Sequence, residues 1–354
     1  MGAEVSFGFE ESAEGWSFGS VDSLSTPDSS VEDGSVNLIA TNNANCFGFW
    51  ESPDFTVVDE ATDVAAGGRA IRGLTGTDSL YRTTFVVRTG VADASQVPTL
   101  RVRSSSFDFQ QSDVIVATSV GDGSYSPTAG GATYVQYFTQ PEGQNQFRLN
   151  FDLLNFDPTD AAAGNLELES VVVEGLDRST LVNEQAVASF AFADNANGFT
   201  YRSAGLADPT ATATGRGLEL VGSAAEASTT FGYWGIETDV PFVAGRLYQI
   251  AFTVSTPATV ANRDAVPTFR LRYNDSSLKA SGYINIESVN PSVRVPVDNT
   301  PTTYFLYIAT PPQVVGNTWI FSFDFLHVPG AGDSNDPTIP VTLENLEVKS
   351  FDVP

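Results

Sequence analysis

Val97-Pro98-Thr99-Leu100-Arg101-Val102-Arg103 and Val266-Pro267-Thr268-Phe269-Arg270-Leu271-Arg272 are one phrase written twice. From the Thr onward each alternates apolar and polar residues, the period of a strand with one buried face. Working outward, the same doubling continues in the same order. Upstream, Ser6-Phe7-Gly8-Phe9 answers to Ser189-Phe190-Ala191-Phe192, Gly15-Trp16-Ser17-Phe18 to Gly198-Phe199-Thr200-Tyr201, and Phe47-Gly48-Phe49-Trp50 to Phe231-Gly232-Tyr233-Trp234. Leu80-Tyr81 through Phe85-Val86-Val87 answers to Leu247-Tyr248 through Phe252-Thr253-Val254, with an extra loop near Ala65 to Ser79 in the first copy. Downstream, Thr133-Tyr134 with Tyr137 answers to Thr303-Tyr304 with Tyr307, Phe151-Asp152 to Phe323-Asp324, and Leu168-Glu169 to Leu343-Glu344. A conserved order of matches over the whole length is the mark of an internal repeat.

The repeat divides the chain into residues 1–177 and 186–354. The connecting stretch, Asp177 to Gln185, is short, polar and free of Gly and Pro. A linker of that length predicts two modules in contact or nearly so. About eight strand-like blocks per copy are separated by turn chemistry such as Gly121-Asp122-Gly123-Ser124 and the run from Gly330 to Pro337. The expected fold is all-β: two tandem antiparallel β-sandwich, jelly-roll domains.

Across 354 residues, 43 acidic side chains outnumber 17 basic ones, a formal charge of −26. Phosphate backbones are bound by neutralising Lys and Arg, so nucleic acid and anionic membranes are excluded as expected partners. No apolar window of about 18 residues predicts a membrane-spanning helix. Cys46 is the only cysteine and His327 the only histidine, which removes an intrachain disulfide, a Cys/His zinc site and a Cys–His catalytic pair. Cys46, in an apolar run, is expected to be a buried small hydrophobe. There is no G-x-S-x-G elbow, H-E-x-x-H helix, P-loop or dinucleotide fingerprint. No catalytic centre is expected. Met1-Gly2-Ala3 leads directly into polar sequence, the expected look of an extracellular or cell-surface chain whose secretion signal has been removed.

The opening Phe-x-Phe-Glu and Gly-Trp-Ser of residues 7–17, the middle strand Ala244 to Val254 and the closing strand Leu343-Glu344-Asn345-Leu346-Glu347-Val348 together resemble the galactose-binding-like jelly rolls. Carbohydrate-binding modules of families 4 and 9 belong to that group. The resemblance implies a structural calcium between an opening Glu and an Asp of the closing strand. Here Glu10 and Glu169 stand at those places. In the second copy Ala193 replaces the opening Glu, with Asp194 one place later, and Glu344-Asn345 closes.

Sugar recognition needs flat aromatic faces and a few directional hydrogen-bond partners. Trp50 and Trp234 hold the same place in both copies and are the expected stacking residues; the alternative is that a repeated Trp packs in the core. Trp16, answered by Phe199, and Trp319, answered by Phe147, read as core. Arg101, Arg103, Arg270 and Arg272 share one strand side and either contact glycan hydroxyls or form a solvated, ion-paired face. Asp333, Asn335 and Asp336, between Gly330 and Pro337, are oxygen ligands suited to calcium, or an ordinary acidic turn.

Two functions fit. One is a non-catalytic extracellular carbohydrate-binding protein, its two modules engaging a repetitive polysaccharide together. The other is a structural subunit of a secreted filament, surface layer or adhesive matrix, self-associating through strand edges and calcium.

Overall fold

The computed structural model describes residues 4–10, 12–20, 31–32, 34–39, 48–58, 69–72, 79–88, 99–105, 110–115, 132–140, 146–154, 165–203, 210–221, 232–241, 243–256, 268–275, 284–287, 300–309, 318–326 and 339–353. Among these the only helical element is a 3₁₀ turn over Arg178–Thr180. Cys46, His327, Asp333, Asn335 and Asp336 lie outside the described residues.

The first repeat forms β1 (Glu4–Phe7), β2 (Ser17–Ser20), β3 (Val31–Glu32), β4 (Ser35–Ile39), β5 (Gly48–Glu51), β6 (Phe55–Val58), β7 (Arg69–Arg72), β8 (Ser79–Arg88), β9 (Thr99–Ser105), β10 (Gln110–Ile115), β11 (Ala132–Gln140), β12 (Gln146–Leu154) and β13 (Asn165–Leu176). The second forms β14 (Gln185–Ala191), β15 (Thr200–Ser203), β16 (Thr210–Ala213), β17 (Leu218–Val221), β18 (Gly232–Pro241), β19 (Arg246–Ser255), β20 (Thr268–Asp275), β21 (Ile284–Glu287), β22 (Thr302–Ala309), β23 (Thr318–Leu326) and β24 (Val341–Asp352). The longer strands follow the repeated blocks, and short ones such as β3, β7 and β16 are additions that the repeat did not reveal.

Each repeat is a two-layer antiparallel sandwich. In the first, the sheet β11-β8-β13-β4-β3, with β1 also on β13, faces the sheet β2-β5-β12-β9-β10. In the second, β16-β17-β24-β19-β22, with β14 on β24, faces β15-β18-β23-β20. The one parallel pair among the described residues is β6 with β7, Phe55 opposite Arg69, and β7 lies in the loop that only the first copy carries.

Strand alternation fills the core. On β8, Tyr81, Phe85 and Val87 are buried against Phe147, Leu149 and Phe151 from β12 of the opposite sheet. Aromatic rings pack edge-to-face where the sheets meet: Trp16 stands 5.4 Å from Phe7 and 5.8 Å from Phe9, a preferred geometry for ring quadrupoles. Phe199 takes the place of Trp16 in the second core, 5.3 Å from Phe192. Both residues end the same turn. Trp16 N donates to Ala13 O and Phe199 N to Ala196 O, with Glu14-Gly15 and Asn197-Gly198 all at positive φ.

A β-bulge recurs as well. Val87 pairs with Leu168 and Val86 with Ser170, leaving Glu169 as the extra residue of β13. Val254 pairs with Leu343 and Thr253 with Asn345, leaving Glu344 as the extra residue of β24. The bulge explains why buried positions jump from Leu168 to Val171 and from Leu343 to Leu346, since one inserted residue shifts the alternation by one.

The repeats meet along their edges. β10 pairs antiparallel with β21, from Gln110 opposite Glu287 to Asp113 opposite Ile284, and β11 lies against β22. Leu80, Tyr137, Leu247 and Tyr307 form a separate buried cluster there, flanked by Leu176, Leu181 and Phe305. The connecting segment is held on the second repeat. The Arg178 guanidinium lies 4.9 Å from the Phe305 ring centre, Arg246 Nη2 donates to Asn183 O at 2.7 Å, and Asp352 N donates to Val182 O at 3.1 Å.

Candidate functional site

The face of interest is the outer side of the sheet that carries β5, β12 and β9. On β12 the odd-numbered Phe147, Leu149 and Phe151 are buried in the core, and Arg148 and Asn150 alternate with them. The ladder sets β5 beside β12 with Trp50 opposite the core residue Phe151. Trp50 is therefore a core residue, 4 % exposed and clustered with Phe7, Phe9, Trp16 and Phe55. This corrects the expectation that its ring stacks on sugar: it has no free face. In the second repeat Trp234 holds the matching register, opposite Phe323 and Tyr201 as Trp50 is opposite Phe151 and Phe18.

Phe49 is the neighbour of Trp50 on β5, one register position away. Phe49 is opposite Asp152, and Asp152 is opposite Arg101 on β9. The second repeat has the same row: Tyr233 opposite Asp324, and Asp324 opposite Arg270 on β20. The row contains Arg101 and Arg270 of the expected ligand residues, together with Phe49 and Tyr233, the strand neighbours of the tryptophans. An aromatic pair on one strand leaves open which member faces in, and only the register decides it. Arg103 and Arg272 stand one row away, opposite Asn150 and Ser322.

The second row is fully drawn in the first repeat. Asn150 is 3 % exposed, and its Nδ2 donates to Glu51 Oε2 at 3.1 Å. Glu51 also accepts from Arg148 Nη1 at 2.9 Å. Arg148 reaches over to Asp54, Nη2 to Oδ2 at 3.2 Å, with its Nε on the other carboxylate oxygen. The hydrogen bond from Arg148 holds Asp54 below the usual carboxyl range, and the same bond raises Arg148 further. A carboxyl kept ionised in this way accepts hydrogen bonds and does not donate a proton. The row continues through Arg103 to Ser112 on β10 and Asn285 on β21, so polar positions run from the first repeat into the second.

Of the expected calcium ligands, Glu10 and Glu169 lie among the described residues. Glu10 is exposed. The bulge turns Glu169 onto Arg88, Oε1 to Nη1 at 3.2 Å, while Glu167 takes Nε of the same guanidinium at 2.6 Å. Its counterpart Glu344 accepts from Arg216 at 3.3 Å and from Ser255 Oγ at 3.3 Å. Among the described residues no three acidic, His or Cys groups stand together as a metal cage. A cation at Glu169 would have to displace a guanidinium, and these residues do not fit one.

The fold is that of a two-module β-sandwich protein in which the cross-strand register Phe49–Asp152–Arg101 recurs as Tyr233–Asp324–Arg270. No protein-family model matches the chain, and a search of curated proteins finds no match. Among solved structures, the chain is similar to the N-terminal tandem of CBM22-1 and CBM22-2 domains from Paenibacillus barcinonensis Xyn10C, with 14% identity, 99% of this chain and 97% of that one covered, and a TM-score of 0.33. The single CBM22-2 xylan-binding domain of the same protein matches at 14% identity over 48% of this chain and all of its own length, with a TM-score of 0.31. The ANX2 ectodomain from Arabidopsis thaliana matches at 9% identity, 95% and 89% coverage, with a TM-score of 0.26. The carbohydrate-binding modules among these are CBM22, not the families 4 and 9 of the sequence resemblance.

Proposed function

We propose that the chain is a non-catalytic, extracellular carbohydrate-binding protein whose two jelly-roll modules each hold a neutral polysaccharide on the outer face of the sheet. The observation that carries this reading is the recurrence of one cross-strand row, Phe49–Asp152–Arg101 and Tyr233–Asp324–Arg270. The neighbouring row is not kept in the same way: Glu51 and Asn150 are answered by Gly235 and Ser322. An aromatic ring offers a sugar an apolar face, while a carboxylate and a guanidinium beside it offer paired, directional acceptors and donors for vicinal hydroxyls. A charge of −26 repels polyanionic glycans and favours neutral ones.

The test is affinity electrophoresis through gels containing soluble xylan, glucomannan, mixed-linkage β-glucan or hydroxyethylcellulose. Retardation by at least one polymer, reduced in Asp152→Ala and again in the Asp152→Ala/Asp324→Ala double variant, supports the reading. Unchanged mobility in all four, with the protein sedimenting on addition of calcium alone, supports the self-assembling structural subunit instead.

A further inference from the structure

We propose that the two modules bind separate polysaccharide chains running in opposite directions, so that the protein bridges polymer chains and does not grip one chain twice. This rests on the glycan reading above and concerns how the two faces are arranged.

The modules meet through like surfaces. β10 follows β9 in the first repeat and β21 follows β20 in the second, and these corresponding strands pair antiparallel with each other. The corresponding residues Leu80 and Leu247, and Tyr137 and Tyr307, share one buried cluster. The corresponding strands β11 and β22 lie side by side. An interface in which each partner offers the same patch is isologous, the pattern made by a twofold axis.

The direction of that axis follows from strand geometry. In an antiparallel pair, opposite residues project to the same face, so the rotation exchanging the two strands is perpendicular to the sheet. It leaves the outer face outward and reverses every direction within the sheet. The rows obey this. Crossing from the first module to the second, the strand positions read Phe49, Asp152, Arg101, then Arg270, Asp324, Tyr233. A polysaccharide has distinct reducing and non-reducing ends, and its hydroxyls repeat in a fixed directional order. A chain that satisfies the first module therefore arrives at the second with the wrong polarity, and a stiff linear polymer cannot turn back within one protein's width. The second site is left for another chain.

The experiment compares long-chain soluble xylan, or whichever of the four polymers retards the protein, with the hexasaccharide cut from it. Calorimetry with the hexasaccharide is expected to show two sites per chain. Affinity per site for the polymer is expected to stay within about threefold of the hexasaccharide value, because no avidity accrues along one chain. Polymer viscosity should rise with added protein and pass through a maximum. The Arg101→Ala/Asp152→Ala variant, checked by its remaining hexasaccharide site, should bind without raising viscosity. A polymer affinity about 10² or more above the hexasaccharide value, with unchanged viscosity, would mean that one chain spans both modules and overturns the proposal while leaving the glycan reading intact. Absence of binding to every polymer and hexasaccharide overturns the glycan reading and this inference together.

Discussion

Leu80 and Leu247 hold the same place in the two repeats and lie in the same buried cluster, 1 % and 0 % exposed. Among the described residues, neither belongs to the main core cluster of its own sandwich. Their burial depends on the other module, and with Tyr137 and Tyr307 they couple the two sandwiches.

Truncating Leu247 to Ala should therefore act on the coupling first. Removing a buried Leu side chain costs about 2–5 kcal/mol, here divided between the seam and the strand β19. The expected calorimetric result is a single unfolding transition in the parent and two resolved transitions in the variant. A variant that melts in one transition at lower temperature would place Leu247 in the core of its own module.

The turn Ala13-Glu14-Gly15-Trp16 offers a stabilising change. Glu14 sits at φ 49° where the second repeat has Asn197, also at φ 49°. Left-handed backbone costs most residues about 1–2 kcal/mol, and Asn bears it best after Gly. Glu14→Asn is expected to raise stability by about 0.5–1 kcal/mol, read from denaturant midpoints.

Gly217 is the opposite case. A Cβ there would stand 2.5 Å from Leu343 O and 2.9 Å from Glu344 Cα, against backbone on either side of the β24 bulge. Neither atom can move without breaking the β17–β24 ladder. Gly217→Ala should destabilise by about 1–3 kcal/mol, with the loss seen first as faster amide exchange in β17.

The Arg148–Asp54 pair sets an acid dependence. The folded state holds the Asp54 carboxyl below its ordinary value of 3.8, chiefly through the Arg148 hydrogen bond. A depressed carboxyl adds stability above the unfolded value, and that stability is lost as pH falls through the folded value. Arg148→Gln should return Asp54 toward 3.8, seen by NMR titration, and the stability gap to the parent should close on acidification below that range. Both partners are about half exposed, so the effect is small.

The repeat and the all-β sandwich were legible because strand alternation and turn residues are local signals, and the doubled phrase at Leu100 and Phe269 locked them together. What stayed hidden depends on register. Phe49 and Trp50 are adjacent aromatics, and nothing local shows which one faces in; the pairing of Trp50 with Phe151 shows it. Glu169 reads as a strand residue near a cation site, yet it is a bulge residue on Arg88, and a bulge has no sequence mark when it carries neither Gly nor Pro. Leu80 and Tyr137 look like any core positions, because a buried seam between modules has the composition of a core. Cys46, His327 and the loop with Asp333, Asn335 and Asp336 lie outside the described residues.

The most direct test of the account is one pair of variants measured two ways, Trp50→Ala and Phe49→Ala, by thermal melting and by gel retardation in the polymer that binds the parent. The account predicts that Trp50→Ala loses about 3–5 kcal/mol of stability, as for a buried Trp, and retains binding wherever the module stays folded. Phe49→Ala should melt close to the parent and show reduced retardation, the rest being lost when Tyr233→Ala is added. A stable Trp50→Ala protein that no longer binds, beside a Phe49→Ala protein that binds normally, would contradict the outward row and return the sugar face to the tryptophans.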